Sequence, residues 1–117
     1  MDVAIIDYRM SNLYSVQAAC KEVGISSVIT SDSSEILDAN IAILPGVGAF
    51  GEALSHLIKS KLDECIYSFV DSGKPFIGIC LGLQLLFDSS KEFGNHKGLG
   101  LIKGTVKEFQ LHSNHSI

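Results

Sequence analysis

The stretch ILPGVGAFG, Ile43 to Gly51, closes an apolar run that begins at Ile41 and enters a loop with glycines at 46, 48 and 51. Read as GxGxxG, it is the fingerprint of a dinucleotide-binding turn, where bare backbone lets a pyrophosphate approach a helix N-terminus. Read more plainly, it is a tight strand-to-helix turn that needs glycine only for its conformational freedom. What lies on either side decides. A ribose-binding acid belongs at the end of the following strand, about twenty residues on. Here that strand, Phe76 to Ile79, runs into Cys80, and Asp71 has the offset but precedes the strand. The fingerprint also belongs to a first βα unit, whereas this one follows a third apolar run. A nucleotide site is the weakest of the readings.

Upstream, Val3 to Ile6 is a β-branched apolar run followed by a polar turn, Asp7 to Ser11, as a buried parallel strand would be. Ser11 can cap a helix in which Leu13, Val16, Cys20 and Val23 recur at helical spacing, and Gly24 supplies a left-handed stop. Val28 to Thr30 reads as a second strand, a helical turn begins at Ser33 or Ser34 and runs through Leu37, and Ile41 to Leu44 reads as a third strand. Downstream, Leu54, Leu57 and Ile58 form one helical stripe and Leu62, Ile66, Phe69 and Val70 another, ended by Gly73 and Pro75. A helix from Leu81 carries Leu85, Leu86 and Phe87 inward, Asp88 to Asn95 is a polar stretch, and Thr105 to Phe109 is a last strand. The alternation predicts an α/β fold: a three-layer α/β/α, doubly wound, mostly parallel sheet. Ligands are expected beyond the carboxyl ends of its strands.

The second strand end gives the glycine loop its meaning. GICLG, Gly78 to Gly82, has the GxCxG form of a nucleophile elbow, whose flanking glycines let the chain turn sharply and set a thiol at the edge of the sheet. A thiol there faces the first amides of a helix, which together with a nearby base favours the thiolate. Attack on an amide creates an oxyanion, and the N–H after the nucleophile, that of Leu81, is the usual first donor. Val47 or Gly48, beyond the neighbouring strand, can turn a second N–H to the same point. The plain alternative is an inert buried thiol. Cys20 fits that description, on its helix's apolar stripe, while Cys65 lies beside the stripe of its own.

With 117 residues, 46% hydrophobic and 19% charged, the chain has the size and balance of one globular domain. A net charge of -4 and nine scattered basic residues exclude the basic stripe that nucleic acid requires. The N-terminus carries Asp2 and Asp7 and no basic n-region, and the apolar stretch Pro75 to Phe87 is too short to span a bilayer. The expectation is a cytoplasmic protein without membrane contact. Three cysteines with no CxxC pair predict neither a disulfide framework nor a metal site.

At these residues the sequence resembles class I glutamine amidotransferases, and within them the HisH-type glutaminase subunits. DSGKPFIGICLGLQLLF matches the family's nucleophile region, ILPGVGAFG its oxyanion strand and KGLGLIKGTV its following segment, so nearly the whole chain is covered. PGVG is the selective piece, because most other branches carry PGG. The resemblance implies a flavodoxin-like sheet, Cys80 as nucleophile, Leu81 and the Val47–Gly48 peptide as oxyanion donors, and Gly46 and Gln84 in contact with substrate glutamine. It implies hydrolysis of glutamine to glutamate through a thioester, without cofactor or metal. The resemblance further implies that the ammonia passes to a (βα)8-barrel cyclase subunit in histidine biosynthesis, or to another ammonia-accepting synthase.

Two departures from the family pattern matter. Its first loop reads DYGxGN, but here DYRMSN sets Arg9 and Ser11 where glycines are expected while Asn12 is kept; by the resemblance, that loop and Asn12 are expected near the partner-facing side. That change leaves open a paralogue serving amidation in surface-sugar synthesis. The family's catalytic His and Glu come from a later HPE motif, which is not among these residues. The chain is therefore expected to be a single amidotransferase-like domain, 1–117, lacking that part, truncated and inactive alone, or a non-catalytic scaffold. His56, His96, His112 and His115 read as surface or tail residues.

Overall fold

The computed structural model describes residues 2–9, 13–91 and 96–106. Twelve elements follow one another among them: β1 (Val3–Ile6), α1 (Leu13–Glu22), β2 (Ser27–Thr30), α2 (Ser33–Asp38), β3 (Ile41–Leu44), α3 (Phe50–Lys59), α4 (Leu62–Asp71), β4 (Phe76–Gly78), α5 (Leu81–Leu85), β5 (Phe87–Ser90), β6 (His96–Lys97) and β7 (Ile102–Val106). The first four strands form a parallel sheet in the order β2-β1-β3-β4. The chain reverses its winding between β1 and β3, the kind of switch point beside which open α/β sheets bind ligands.

Side chains alternate across this sheet, as the period of two requires. Ala4, Ile6, Ala42 and Leu44 point into a large core with Ile36 of α2, Leu57 of α3, and Leu62, Ile66 and Phe69 of α4. Val3, Ile5 and Ile43 point the other way, into a smaller cluster with Cys20 of α1. Local signals set the ends. Gly24 takes φ +80 and the Ile25 N–H closes onto the Cys20 carbonyl at 2.8 Å, a left-handed stop for α1. Asp32 caps α2 through a 2.8 Å bond from the Ser34 N–H. At the other end of α2, the Lys74 ammonium donates to the carbonyls of Leu37 and Ala39, where a helix's C-terminal dipole favours a cation.

The first four expected strands and the three-layer arrangement hold. The two stripes read after the glycine loop lie on two helices, α3 and α4, divided where Lys61 adopts a left-handed φ of 60°. Three local readings do not hold. Val23 falls beyond the end of α1 and is exposed, because Gly24 unwinds the helix before another turn can bring it inward. Phe87 to Ser90, read as a helix end and polar loop, is strand β5 of a second, three-stranded sheet in the order β6-β5-β7. Its cause is tertiary: Phe87 and Ser90 register with Ile102 and Val106 of β7, and Gly98 and Gly104 let their segments close over Phe87. β7 begins at Ile102, earlier than Thr105, and residues 107–109 lie outside the described residues. Among the described residues, no helix is long and apolar enough to cross a membrane.

Candidate active site at two strand-to-helix junctions

β3 and β4 are neighbours, so the junctions that follow them, Pro45–Ala49 and Ile79–Cys80, leave the sheet side by side. The ladder continues past the strands. Ile79 N–H donates to the Leu44 carbonyl at 3.0 Å, and Leu81 N–H to the Gly46 carbonyl at 3.1 Å. Glycine is a steric demand at each contact. A Cβ on Gly82 would sit 1.8 Å from the Leu44 carbonyl oxygen, and one on Gly78 2.7 Å from the Leu83 Cα. Both obstacles are backbone, so neither can swing aside.

Between these glycines Cys80 adopts φ 54° and ψ -121°, a region that L-residues rarely enter. Such strain costs on the order of 1–3 kcal/mol and persists where the surroundings over-determine it. Here the surroundings are the two glycine contacts and the start of α5, whose Leu83 and Gln84 amides both donate to the Cys80 carbonyl. The residue is exposed, unlike Cys20 and Cys65, which are buried. Burial pushes the Cys65 thiol up, away from ready ionisation.

The structure sets Gly46, Val47, Gly48, Cys80, Leu81 and Gln84 at the two neighbouring junctions and on α5. The Leu81 N–H, expected to face an oxyanion, is already given to the Gly46 carbonyl. It cannot serve a ligand while that carbonyl stays in place. Among the described residues, no hydrogen bond engages the N–H groups of Val47 and Gly48, which lie on an exposed turn where Gly48 has φ +109. Gly46 is buried against the first turn of α5, with Leu81 Cβ and the Gly82 nitrogen within 3.3 Å of where its own Cβ would stand. Gln84 is half-buried one turn along α5 from Cys80. Asn12 and Ser11, and the tail histidines His112 and His115, lie outside the described residues.

Tyr8 is a site residue that the sequence reading missed. Its ring is buried after β1, and its hydroxyl donates to the Pro45 carbonyl at the head of the glycine loop. Burial raises its pKa far above the usual phenol range, so it remains a donor wherever the fold survives. The bond spans 37 residues of sequence, and no local pattern announces it. His56 lies 4.0 Å from Glu52 on α3 and, with Asp7, Arg9 and Lys59, lines an open cavity of about 520 Å³. His96 packs over Gly51 in the first turn of α3, its ring centroid 6.2 Å from that of Phe50.

The model of the family described as glutamine amidotransferase class-I matches residues 4–117. Two similar curated proteins, both named imidazole glycerol phosphate synthase subunit HisH, come from Sulfurimonas denitrificans and Rhodopirellula baltica. The first is 53% identical over 107 residues, 92% of this chain and 52% of that protein. The second is 50% identical over 109 residues, 93% of this chain and 53% of that protein. The chain thus spans about half the length of the curated relatives it matches. Among solved structures, one titled as a glutamine amidotransferase aligns with a TM-score of 0.77 at 17% identity, over 92% of this chain and 56% of that one. A Listeria monocytogenes protein titled a putative peptidase E aligns with a TM-score of 0.71 at 14% identity, over 86% and 62%. At such identities these two support the fold alone.

Proposed function

The chain belongs to the class I glutamine amidotransferase family, and on that premise we propose that it carries the nucleophile and oxyanion loop of a glutaminase subunit of imidazole glycerol phosphate synthase. The Cys80 thiolate attacks the carboxamide carbon of glutamine, forming the C–S bond while the carbonyl π pair moves onto oxygen. Val47 and Gly48 offer N–H groups to that oxygen, and Leu81 joins them once the Gly46 carbonyl has turned away. Collapse breaks the C–N bond, and the proton that the Cys80 thiol gave up on ionising, carried by the base that the family takes from its later motif, goes to nitrogen as ammonia leaves. Water then opens the thioester to glutamate. Gly46 and Gln84 bind the amino-acid portion of the substrate. The ammonia acceptor is a (βα)8-barrel cyclase subunit, with Asn12 assigned to that interface by family resemblance alone.

The observation that supports this reading is the backbone of Cys80, a strained, exposed cysteine fixed between two glycines that tolerate no side chain. A glutamine-like chloroketone, applied with the cyclase partner present and followed by mass spectrometry, tests it. The expected product is a single adduct on Cys80, absent in Cys80→Ser. Buried Cys20 and Cys65 stay unmodified, the latter also because its raised pKa keeps it protonated. Labelling spread evenly over the three thiols, or none at Cys80, would sink the proposal.

A further inference from the structure

Two consecutive carbonyls of the glycine loop are held, each by a different part of the molecule. The Tyr8 hydroxyl holds the Pro45 oxygen, and the Leu81 N–H holds that of Gly46. Proline already fixes its own φ, and a hydrogen bond to its carbonyl restrains its ψ as well. Residue 45 is therefore pinned, and any rotation that lifts the Gly46 carbonyl off Leu81 must occur at the next peptide, between Gly46 and Val47. Beyond it the loop is free: Val47 and Gly48 are exposed and donate to nothing among the described residues. Tyr8 and Gly46 are also fitted to each other. A Cβ on Gly46 would stand 2.1 Å from the Tyr8 hydroxyl oxygen, so the missing side chain is the space that the hydroxyl fills.

We infer that Tyr8 is a positioning residue: its hydroxyl latches the glycine loop with the Gly46 carbonyl over the Leu81 N–H, keeping one oxyanion donor covered until the Gly46–Val47 peptide turns. The inference rests on the proposed glutaminase reading for its meaning, though its geometry does not. Because the phenol stays protonated, the latch responds to displacement of the loop and not to pH.

Amide hydrogen exchange tests it without glutamine. In Tyr8→Phe the buried Pro45 carbonyl loses its donor, and Leu81 exchange should accelerate on the order of tenfold relative to Ile79, whose bond to Leu44 lies just before the pinned residue. A purely structural role would speed both amides together and leave their ratio unchanged. That outcome overturns the inference.

A second variant guards against a poorly folding Tyr8→Phe. Gly46→Ala collides with the hydroxyl, whereas in the Tyr8→Phe background its nearest remaining neighbours are the Gly82 nitrogen at 3.2 Å and Leu81 Cβ at 3.3 Å. The double variant should therefore melt above Gly46→Ala alone. Simple additivity of the two losses overturns the fit between Tyr8 and Gly46. A shifted Leu81 ratio with no chloroketone adduct would sink the glutaminase reading and spare the latch. An adduct on Cys80 with an unshifted ratio would do the reverse.

Discussion

The two faces of the parallel sheet carry equally apolar residues but unequal cover. On one face, Ala4, Ile6, Ala42 and Leu44 are sealed beneath α2, α3 and α4, with Phe69 and Phe76 in contact at a ring separation of 6.2 Å. On the other, α1 covers Val3, Ile5 and Ile43, but Ile77 of β4, which registers with Ile43 across the ladder, is 44% exposed. The difference teaches where the candidate site takes its rigidity. Tyr8, Phe50, Leu81 and Leu85, which frame the glycine loop and the elbow, all belong to the sealed face's core. The strained Cys80 backbone is thus anchored from one side of the sheet, while the other side ends in an apolar margin.

Substitutions that hollow out either face measure this asymmetry. Phe69→Ala should have the largest effect, a loss of about 3–5 kcal/mol in chemical denaturation, because it removes a fully buried ring and leaves a cavity that rigid helices cannot collapse. Against a typical domain stability of roughly 5–15 kcal/mol, that brings the fold close to its limit. Ile43→Ala, on the α1 face, should cost about 2 kcal/mol, the low end for a buried aliphatic, because its site borders the uncovered margin and can relax. Equal losses at the two positions would show that the faces are packed alike.

What the sequence disclosed follows the same division between local and distant causes. GxCxG and PGVG could be read as neighbouring junctions because glycine reports a close backbone approach at its own position, and Gly78 and Gly82 do meet backbone. The four parallel strands were legible because each is a short apolar run between turn signals. β5 was not, since Phe87 to Ser90 contains one apolar residue and becomes a strand only through β7 and β6. Tyr8 and the occupied Leu81 N–H were hidden for the same reason. Each depends on a partner more than thirty residues away. Glycine spacing told where the backbones meet, but not which carbonyl an amide would find.

The smallest effect on folding comes at the uncovered margin, where Ile77 lies on β4, the outer strand of the parallel sheet among the described residues. Ile77→Lys should change stability by less than about 0.5 kcal/mol, since the side chain already meets solvent. Its effect is on association instead. Ile79 and Leu83 are also exposed beside it, and among the described residues β4 pairs on one side only, so its backbone next to apolar side chains is a template for pairing between copies. Light scattering of the wild-type chain should show apparent mass rising with concentration, and a lysine on the outer strand should hold the variant monomeric. A wild-type chain that stays monomeric across the same range would mean that this margin is tolerated by water as it stands, and the contrast between the faces would then be one of packing alone.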